Sequence, residues 1–285
     1  MTSAKVIYIP QGSTNKIISY LHTKKGMDIT PIDGYIARLI GMPQHGWIYI
    51  GQEHLTHGDF LYKLVTAKAA MKDFTLIPGE TTYFLLKDLA EQMDLNRSKL
   101  IYYSQRLSHV KEGAYVPDTY KIPIGLSERE TLLLLLNQSQ KKMRAWSEKI
   151  FGTYNEKKWH HYIIKASIIQ KEASSIEDMP YVSSVISNRL KRGMKLQMDG
   201  TLNYGKYSHQ KVTAERIRND ESRYNTYKYE GIPKEAVCNV GLDAIKAAIF
   251  PEKTDYLYFV RTKKGHHSYS RRYSEHLKKI RSATK

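Results

Sequence analysis

Three stretches of the chain repeat one local pattern, in which a β-type run is followed by a proline, a glycine and an amphipathic helix. Proline fixes the backbone where the strand ends, and glycine permits the turn. A hydroxyl side chain can then accept hydrogen bonds from the free N–H groups that begin a helix. In the third stretch, Ser127 and Glu130 have the spacing of a capping box. The pattern predicts small α+β modules in series. The three stretches are residues 6–21, 74–89 and 120–136.

The remaining sequence is mostly helical in its periodicity and predicts an α+β fold. The segment 139–160 is expected to be a connecting helix, whereas 194–231 has little periodicity and is typical of a functional loop region. Near the C-terminus, a buried strand at 255–260 is expected to pair with 266–270. Further helices are predicted over 96–107, 128–143, 160–173, 179–193, 241–251 and 274–285.

The composition is that of a globular protein with a strongly basic balance. Hydrophobic residues make up 41% of the 285 residues and charged residues 26%, which excludes a disordered or fibrous chain. The 45 Lys and Arg against 28 Asp and Glu give a net charge of +17. This charge indicates an anionic partner, which could be nucleic acid, an acidic membrane surface or an anionic polymer. A merely basic surface is the competing interpretation.

Neither disulfide nor metal chemistry is expected. Cys238 is the single cysteine of the sequence, which excludes an internal disulfide and a cysteine-based metal site. The 11 histidines include pairs at 160–161 and 266–267, but neither pair has carboxylate or cysteine partners at metal-ligand spacing. We therefore expect solvated or structural histidines and no metal.

The sequence contains no stretch of the roughly 20 apolar residues that a membrane-spanning helix needs. Its longest aliphatic run is Leu132–Leu136, and Met1 leads directly into a strand-like segment rather than a signal peptide. No membrane-spanning element is therefore predicted within this sequence.

One carboxylate lies at the end of an aliphatic helix. In the stretch SIIQKEASS, Glu172 lies on the apolar face of the predicted helix, close to its C-terminus. Burial and the negative end of the helix would both raise the pKa of this carboxyl group, which suits a general acid. From spacing alone, the more common arrangement is an outward-pointing Glu172, or one paired with Lys171, Lys165 or His161.

A longer signature surrounds this acid. Residues 170–205 read QKEASSIEDMPYVSSVISNRLKRGMKLQMDGTLNYG, and the motifs YNTY (224–227), GIP (231–233), AIKAAIFP, YLYFV and GHHSYS follow in order. Upstream, EGAYVPDTY (112–120) is a further element. Together these motifs resemble the endolytic murein transglycosylases, the MltG/YceG-like family, over nearly the whole chain.

The resemblance implies two domains. Residues 1–72 correspond to a small LysM-like domain, and residues 73–285 to a larger mixed α+β catalytic domain with its core at 159–285. The chain departs from the family pattern twice. It has Asp199-Gly200-Thr201 where the family usually has Asp-Pro-Thr, and Asn239-Val240-Gly241 where the family tends to have Asn-Pro-Gly. Each change leaves the backbone less restricted than proline would.

The reaction implied by the resemblance is cleavage, without water, of the β-1,4 bond between N-acetylmuramic acid and N-acetylglucosamine inside glycan strands. The muramic C6 hydroxyl attacks its own C1 and leaves a 1,6-anhydro end, which would terminate or trim nascent strands. Glu172 would protonate the leaving oxygen and then take the proton of that hydroxyl. One acid then suffices where glycoside hydrolases ordinarily use two. No cofactor is implied.

Amide, hydroxyl and aromatic side chains within the matching motifs have the chemistry of a sugar-binding cleft. The alternative for several of them is structural, since Asn188 can brace its helix and Asp199 and Thr201 can hold a turn. The candidate substrate-binding residues are Asn188, Gln197, Asp199, Thr201, Tyr204, Tyr224, Asn225 and Tyr227.

The resemblance also implies partners and a location. The partners are peptidoglycan glycan strands, peptidoglycan synthases such as penicillin-binding proteins, and a membrane reached through an N-terminal helix that is absent from this sequence. The location is the bacterial cell envelope, with an inner-membrane anchor and this part facing the periplasm. The basic segment 261–285 suits such a place near anionic lipids, although a solvated terminus would look the same.

Three other functions stay open at this point. A nucleic-acid-binding protein would account for the charge, but no helix-turn-helix or similar motif accompanies it, and we expect no nucleic acid as a partner. A catalytically silent wall-binding module would leave Glu172 without a role. Ordinary hydrolysis could use Asp199 as a second carboxylate.

Overall fold

The computed structural model describes residues 6–51 and 54–284. Most of these residues lie in helices, and the strands form three small two-stranded sheets, so the expectation of a mixed α+β fold is confirmed at the level of the class. The chain divides into two compact units. The first comprises Met1–Phe74 with Tyr120–Thr131, and the second comprises Thr75–Thr119 with Leu132–Lys285.

The first unit begins with the first copy of the recurring pattern. Strand β1 leads through Pro10 and Gly12 into helix α1, whose first turn is capped by the Ser13 side chain accepting the Lys16 N–H at 3.4 Å. Strands β1 and β2 pair antiparallel, and Ile9 of β1 and Ile48 of β2 are fully buried. The elements are β1 (Val6–Ile9), α1 (Thr14–Lys25), α2 (Pro31–Ile40), β2 (Gly46–Tyr49) and α3 (His57–Thr66).

The other two copies of the pattern also form. Strand β3 leads into α4 and strand β4 into α6, and the two strands pair in the second sheet. The capping box expected before α6 is present, because the Ser127 N–H donates to Glu130 at 3.0 Å and the Glu130 N–H to the Ser127 hydroxyl at 3.4 Å. The bounds are β3 (Met71–Leu76), α4 (Thr82–Met93), α5 (Arg97–Leu107), β4 (Asp118–Pro123) and α6 (Glu128–Phe151).

The C-terminal part of the second unit is built around helix α7, whose apolar face is buried. Helix α7 buries Ile168 and Ile169 completely, and it packs against α8 and α10. Burial of each such side chain contributes about 1.5–3 kcal/mol, which fixes the orientation of α7. The elements are α7 (Glu156–Glu172), α8 (Met179–Lys191), α9 (Ala214–Asn219), α10 (Leu242–Ile249), β5 (Tyr258–Arg261), β6 (His267–Ser270) and α11 (Tyr273–Thr284), with 3₁₀ turns at Asp199–Leu202 and Gly205–Tyr207.

Two expectations about these elements are wrong in detail. The segment 139–160 is not one connecting helix, because α6 ends at Phe151 and Gly152 turns the chain with φ 72°. Helix α7 then begins anew, with the Asn155 side chain accepting the Lys158 N–H at 2.9 Å. Strand β5 pairs with β6 as expected, but its first three residues are half-buried rather than buried, and Arg261 is exposed.

No helix within the described ranges is both long and apolar enough to cross a membrane. The LysM-like character of residues 1–72, and the boundary after residue 72, stay predictions. The compact unit that contains the N-terminal residues also includes Tyr120–Thr131, a segment that the sequence pattern did not connect with it.

Candidate active site

Glu172 is the last residue of α7. The helix closes with the Ala173 N–H donating to the Ile169 carbonyl at 2.9 Å, and Ala173 itself is extended. The Glu172 side chain is half-buried, and its Oε1 accepts the backbone N–H of Gly200 at 2.5 Å. The carboxyl group therefore faces the turn at Asp199–Leu202, 28 positions away in sequence.

The environment of Glu172 raises its pKa from 4.5 to about 7. Burial is the main cause, because it disfavours the charged carboxylate, and the nearby charge of Asp199 acts in the same direction. The Gly200 N–H, His267 and Arg189 oppose the rise, because each favours the anion. A carboxyl group with such a pKa can give up a proton and take one back near neutral pH.

The two lysines considered as partners of Glu172 donate hydrogen bonds to other residues instead. Lys165 donates to the Ser187 hydroxyl at 2.9 Å and to the Ala248 carbonyl at 3.1 Å. Lys171 donates to the Ser208 hydroxyl at 2.6 Å. Among the described residues Glu172 forms no ion pair, so a surface salt bridge does not account for its position.

The turn that faces Glu172 is held by two threonines. The Thr201 hydroxyl donates to the Met198 carbonyl at 2.7 Å and lies 3.0 Å from the Thr226 hydroxyl. The Thr226 hydroxyl accepts the Met198 N–H at 3.1 Å, and the Thr226 carbonyl accepts the Gln197 N–H, also at 3.1 Å. Thr201 is fully buried, whereas the side chain of Gln197 is exposed on a left-handed backbone with φ 50°. The backbone of this turn is therefore fixed on both sides.

Asp199 and Tyr227 lie together at the exposed edge of the turn. The Tyr227 hydroxyl donates to Asp199 Oδ1 at 2.7 Å, and Asp199 is exposed while Tyr227 is half-buried. Burial and this hydrogen bond both raise the pKa of Tyr227, so its hydroxyl stays protonated and acts as a donor. Of the candidate residues, Asp199, Thr201 and Tyr227 are thus brought to Glu172 through the Gly200 turn.

A second group of candidates gathers around Asp220. Tyr204 stacks on Tyr224 with ring centroids 4.3 Å apart, and the Tyr204 hydroxyl donates to Asp220 at 3.0 Å. The Asn225 side chain donates to the backbone carbonyls of Asp220 and Ile217 at 2.8 and 2.9 Å. Because Asn225 is fully buried, a contact between its side chain and a glycan would require the surrounding loop to open.

Asn188, on α8, contacts neither the Gly200 turn nor the group around Asp220. Its amide nitrogen donates to the carbonyls of Thr254 and Tyr256 at 2.7 and 3.0 Å, so it braces α8 against the segment before β5. Asn188 also lines an open groove of about 860 Å³ with residues of the 249–256 segment. The structure therefore does not bring Asn188 together with the Gly200 turn by any direct contact.

Sequence reasoning missed a buried cluster next to Glu172. Asp178 accepts hydrogen bonds from the Tyr269 hydroxyl at 2.5 Å and from the Ser174 N–H at 2.9 Å, and Nδ1 of His267 lies 2.7 Å from it. These bonds hold the pKa of Asp178 at about 2 despite the opposing effect of burial. His267 is thus a structural histidine, one of the two roles expected for it, but its carboxylate partner lies 89 positions away, where sequence spacing cannot reveal it.

Arg189 is a second residue that the motif contained but the candidate list omitted. Its side chain is buried, and it donates to the carbonyls of Leu257 and Leu196. Its charge favours the ionised form of Glu172. A buried arginine whose charge acts on a half-buried acid is visible only in the structure, because sequence spacing does not show which side chains are buried.

A groove of about 480 Å³ opens immediately after α7. It begins at Ser174, two residues beyond Glu172, and the Asp178–His267 pair forms part of its wall. Aromatic faces line it, since Tyr181, Tyr256 and Tyr269 have neighbouring rings with centroids 5.5–5.6 Å apart. Such faces suit the apolar sides of pyranose rings. No group of three His, Cys, Asp or Glu within the described ranges is placed to hold a metal ion.

Fold and site together define a mixed α+β protein in which the half-buried Glu172 carboxyl group, with its raised pKa, lies two residues before the start of a tyrosine-lined groove. The model of the YceG-like family matches residues 7–282 of the chain. The chain therefore belongs to the YceG-like family.

Relatives and one solved structure agree with this assignment. The chain is 26% identical over 280 residues to a Bacillus subtilis (strain 168) protein named endolytic murein transglycosylase, covering 94% of this chain and 73% of that protein. A protein of the same name from Streptococcus pneumoniae (strain D39) is 32% identical over 156 residues, 52% of this chain but 28% of that protein. The crystal structure of a yceG-like protein from Listeria monocytogenes shares the fold, with a TM-score of 0.62 at 23% identity and coverage of 98% and 99% of the two chains.

Proposed function

We propose that this protein is an endolytic lytic transglycosylase that cleaves the β-1,4 bond between N-acetylmuramic acid and N-acetylglucosamine within peptidoglycan strands. The observation that carries the proposal is the half-buried Glu172 carboxyl group, with a pKa of about 7, which accepts the Gly200 N–H at 2.5 Å and lies two residues before the first residue of a tyrosine-lined groove. Family membership and the names of the relatives support the substrate class.

In the proposed mechanism Glu172 serves twice. As the neutral acid it protonates the glycosidic oxygen while the C1–O bond breaks, and the N-acetylglucosamine hydroxyl leaves. As the carboxylate it then accepts the proton of the muramic C6 hydroxyl while that oxygen bonds to C1 and closes the 1,6-anhydro ring. Glu172 returns to its starting state, and no water enters. A pKa near 7 suits both half-reactions at neutral pH.

The surrounding groups have separate parts in the proposal. Asp199 and Tyr227 lie at the open edge beside the acid and are available to sugar hydroxyl and N-acetyl groups. The exposed amide of Gln197 adds a further donor and acceptor. Tyr204, Tyr224, Thr201 and Asn225 shape the loop that carries these groups through stacking and hydrogen bonds.

Digestion of purified glycan strands, with products read by mass spectrometry, tests this function. We expect the wild type to release fragments with anhydro ends, lighter by one water than hydrolysed ends, and Glu172→Gln to release none. Glu156→Gln is the matched control, because Glu156 is an exposed acid in the first turn of the same helix and does not line the tyrosine-lined groove. Equal cleavage by Glu172→Gln and the wild type would remove Glu172 from its role.

The same experiment separates the alternatives. Products that carry an added water would indicate a hydrolase, for which Asp199 is the candidate second carboxylate. Binding to glycan strands without turnover would indicate a wall-binding module. Salt-sensitive binding to DNA in place of glycan would support the nucleic-acid interpretation of the +17 charge.

The substrate would place the protein in the cell envelope, and the basic balance suits contact with anionic wall polymers and lipids. The LysM-like first domain, the inner-membrane anchor and the synthase partners remain proposals of the same kind. Co-sedimentation with isolated peptidoglycan in increasing salt tests the wall contact. Failure to sediment at any salt concentration would argue against it.

A further inference from the structure

Only one of the two oxygens of the Glu172 carboxyl group accepts a hydrogen bond from a described residue. Oε1 accepts the Gly200 N–H at 2.5 Å, whereas Oε2 receives no hydrogen bond from any described residue and is not among the buried atoms without a partner. The two oxygens of this acid are therefore unequal. An N–H donor is best placed against an unprotonated oxygen, so the neutral acid carries its proton on Oε2, the oxygen that remains open.

We propose that the peptide N–H of Gly200 is a positioning group that keeps Oε1 as an acceptor and directs the acidic proton from Oε2 toward the substrate. This inference rests on the proposed role of Glu172 and adds a residue that contributes its backbone alone. Gly200 also stands where the chain departs from the family's Asp-Pro-Thr pattern, and proline at this position could not donate the bond.

The packing around Gly200 explains why a side chain is excluded. A Cβ atom on Gly200 would lie 2.7 Å from Lys171 Cβ, 2.8 Å from Glu172 Oε1 and 3.2 Å from the Lys171 carbonyl carbon. The first and third of these atoms belong to the rigid end of α7, so the Gly200 peptide would have to move away from the acid. The backbone of Gly200 is not in the left-handed region, so the obstacle is steric rather than conformational.

The turn has little freedom to adjust. Hydrogen bonds from Thr201 and Met198 to their neighbours fix its start, and the Asn203 N–H donates to the Gly200 carbonyl at 3.2 Å. Because both peptides of Gly200 are engaged, a shift of its N–H would break other bonds. The position of the donor is therefore built into the fold.

Other charged groups also affect the pKa of Glu172, and a test of the Gly200 N–H has to leave their side chains unchanged. They are Asp199 on the same turn, Arg189 on α8 and His267 on β6, and the Tyr227 hydroxyl lies near enough to be influenced by the acid. A variant at Gly200 alters none of these side chains. Because a shift of the Gly200 peptide also moves the adjacent Asp199, a change in the titration of Glu172 reports on the N–H when a variant without an added Cβ shows the same change.

The test compares Gly200→Ala with Gly241→Ala. Gly241 is the matched control, because its N–H also donates to a side chain of α7, Gln170, at 3.3 Å. A Cβ atom on Gly241, however, would meet its neighbours at the ordinary distances of 3.6–3.7 Å. In each protein the pKa of Glu172 is measured by NMR titration with ¹³C-labelled glutamate, and kcat and KM are measured on glycan strands across pH.

We expect Gly200→Ala to raise the pKa of Glu172 by about one unit and to lower kcat at least about tenfold, with little change in KM. Gly241→Ala should leave the pKa and kcat unchanged. An unaltered Glu172 titration in folded Gly200→Ala would overturn the inference. The NMR titration is readable even if the wild type cleaves nothing, so failure of the proposed function and failure of this inference give different results.

A second variant tests the inference even if Gly200→Ala does not fold. Replacing Gly200 by glycolic acid exchanges the peptide N–H for an ester oxygen and adds no Cβ. The same rise in the pKa of Glu172 is expected, without a steric cause. An unchanged pKa in the ester protein would equally overturn the inference.

Discussion

Oδ2 of Asp178 lies 2.7 Å from Nδ1 of His267, which joins the start of α8 to β6 across 89 positions. The side chains of this pair are 9% and 7% exposed, so solvent hardly screens them. Asp178 accepts from the Ser174 backbone and the Tyr269 hydroxyl as well. The pair therefore holds together the wall of the groove that begins beside Glu172.

Asp178→Asn should lower the free energy of unfolding by about 2–4 kcal/mol, because an amide offers these buried donors a weaker acceptor and turns an N–H₂ group toward them. The measurement is denaturant unfolding at pH 7. Since the pKa of Asp178 is lowered to about 2, its contribution is present above its ordinary value of 3.8 and is lost as pH falls toward 2.

Glu177→Gln is the control for this change, because it neutralises the exposed neighbouring acid. Its unfolding midpoint should not move. If Asp178→Asn unfolds at the same denaturant concentration as the wild type, the buried pair does not stabilise the groove.

Glu172→Gln should stabilise the protein at alkaline pH. The pKa of Glu172 is raised from 4.5 to about 7, so the native state favours the protonated acid. Its favourable contribution is complete below pH 4.5 and is lost as pH rises through about 7. Neutral glutamine does not undergo this loss, and we expect similar Tm values for the two proteins at pH 5 and a higher Tm for the variant at pH 8. A constant difference at all pH values would contradict the raised pKa.

Asp199→Asn should lower the pKa of Glu172, because the charge of Asp199 is one of the causes that raise it. Less of the neutral acid is then present at pH 7, and the alkaline limb of the pH–rate profile should move to lower pH while activity at pH 5.5 persists. Asp243→Asn, an exposed acid paired with Lys246, is the control. Loss of kcat at every pH in Asp199→Asn would instead indicate that Asp199 takes part in the chemistry, as in a two-carboxylate hydrolase, whereas a higher KM would report its proposed contact with the sugar.

Glu112 is a further acid with a raised pKa, and its role differs from that of Glu172. Its Oε2 accepts both the N–H and the hydroxyl of Thr82 at 2.9 Å, at the first residue of α4, and burial raises its pKa to about 8. Glu112→Ala should cost about 2–3 kcal/mol in unfolding free energy, since two buried donors lose their acceptor. Glu112→Gln keeps a neutral acceptor and should cost less than about 1 kcal/mol at pH 6.

Catalytic turnover of folded Glu112→Gln should match that of the wild type. A loss comparable to that of Glu172→Gln would show that the acid at the start of α4 is also used in the reaction.

The sequence by itself determined the features that depend on neighbouring residues. The three strand–turn–helix units, the capping box at Ser127 and Glu130, and the position of Glu172 at a helix end follow from spacing within a few residues. Local hydrogen bonds and side-chain periodicity suffice for these features, because they are formed within one turn or one strand. Even so, the break between α6 and α7 was missed, since apolar and polar residues alternate with helical spacing on both sides of Gly152.

Only the tertiary structure decided which groups meet at the acid. The Gly200 N–H reaches Glu172 from 28 positions away, and Asp178 meets His267 across 89. Such contacts depend on how α7, α8 and β6 pack, and many side chains of equal local propensity could have filled the same places. Sequence spacing therefore identified the acid, whereas packing set its pKa, its donor and the groove beside it.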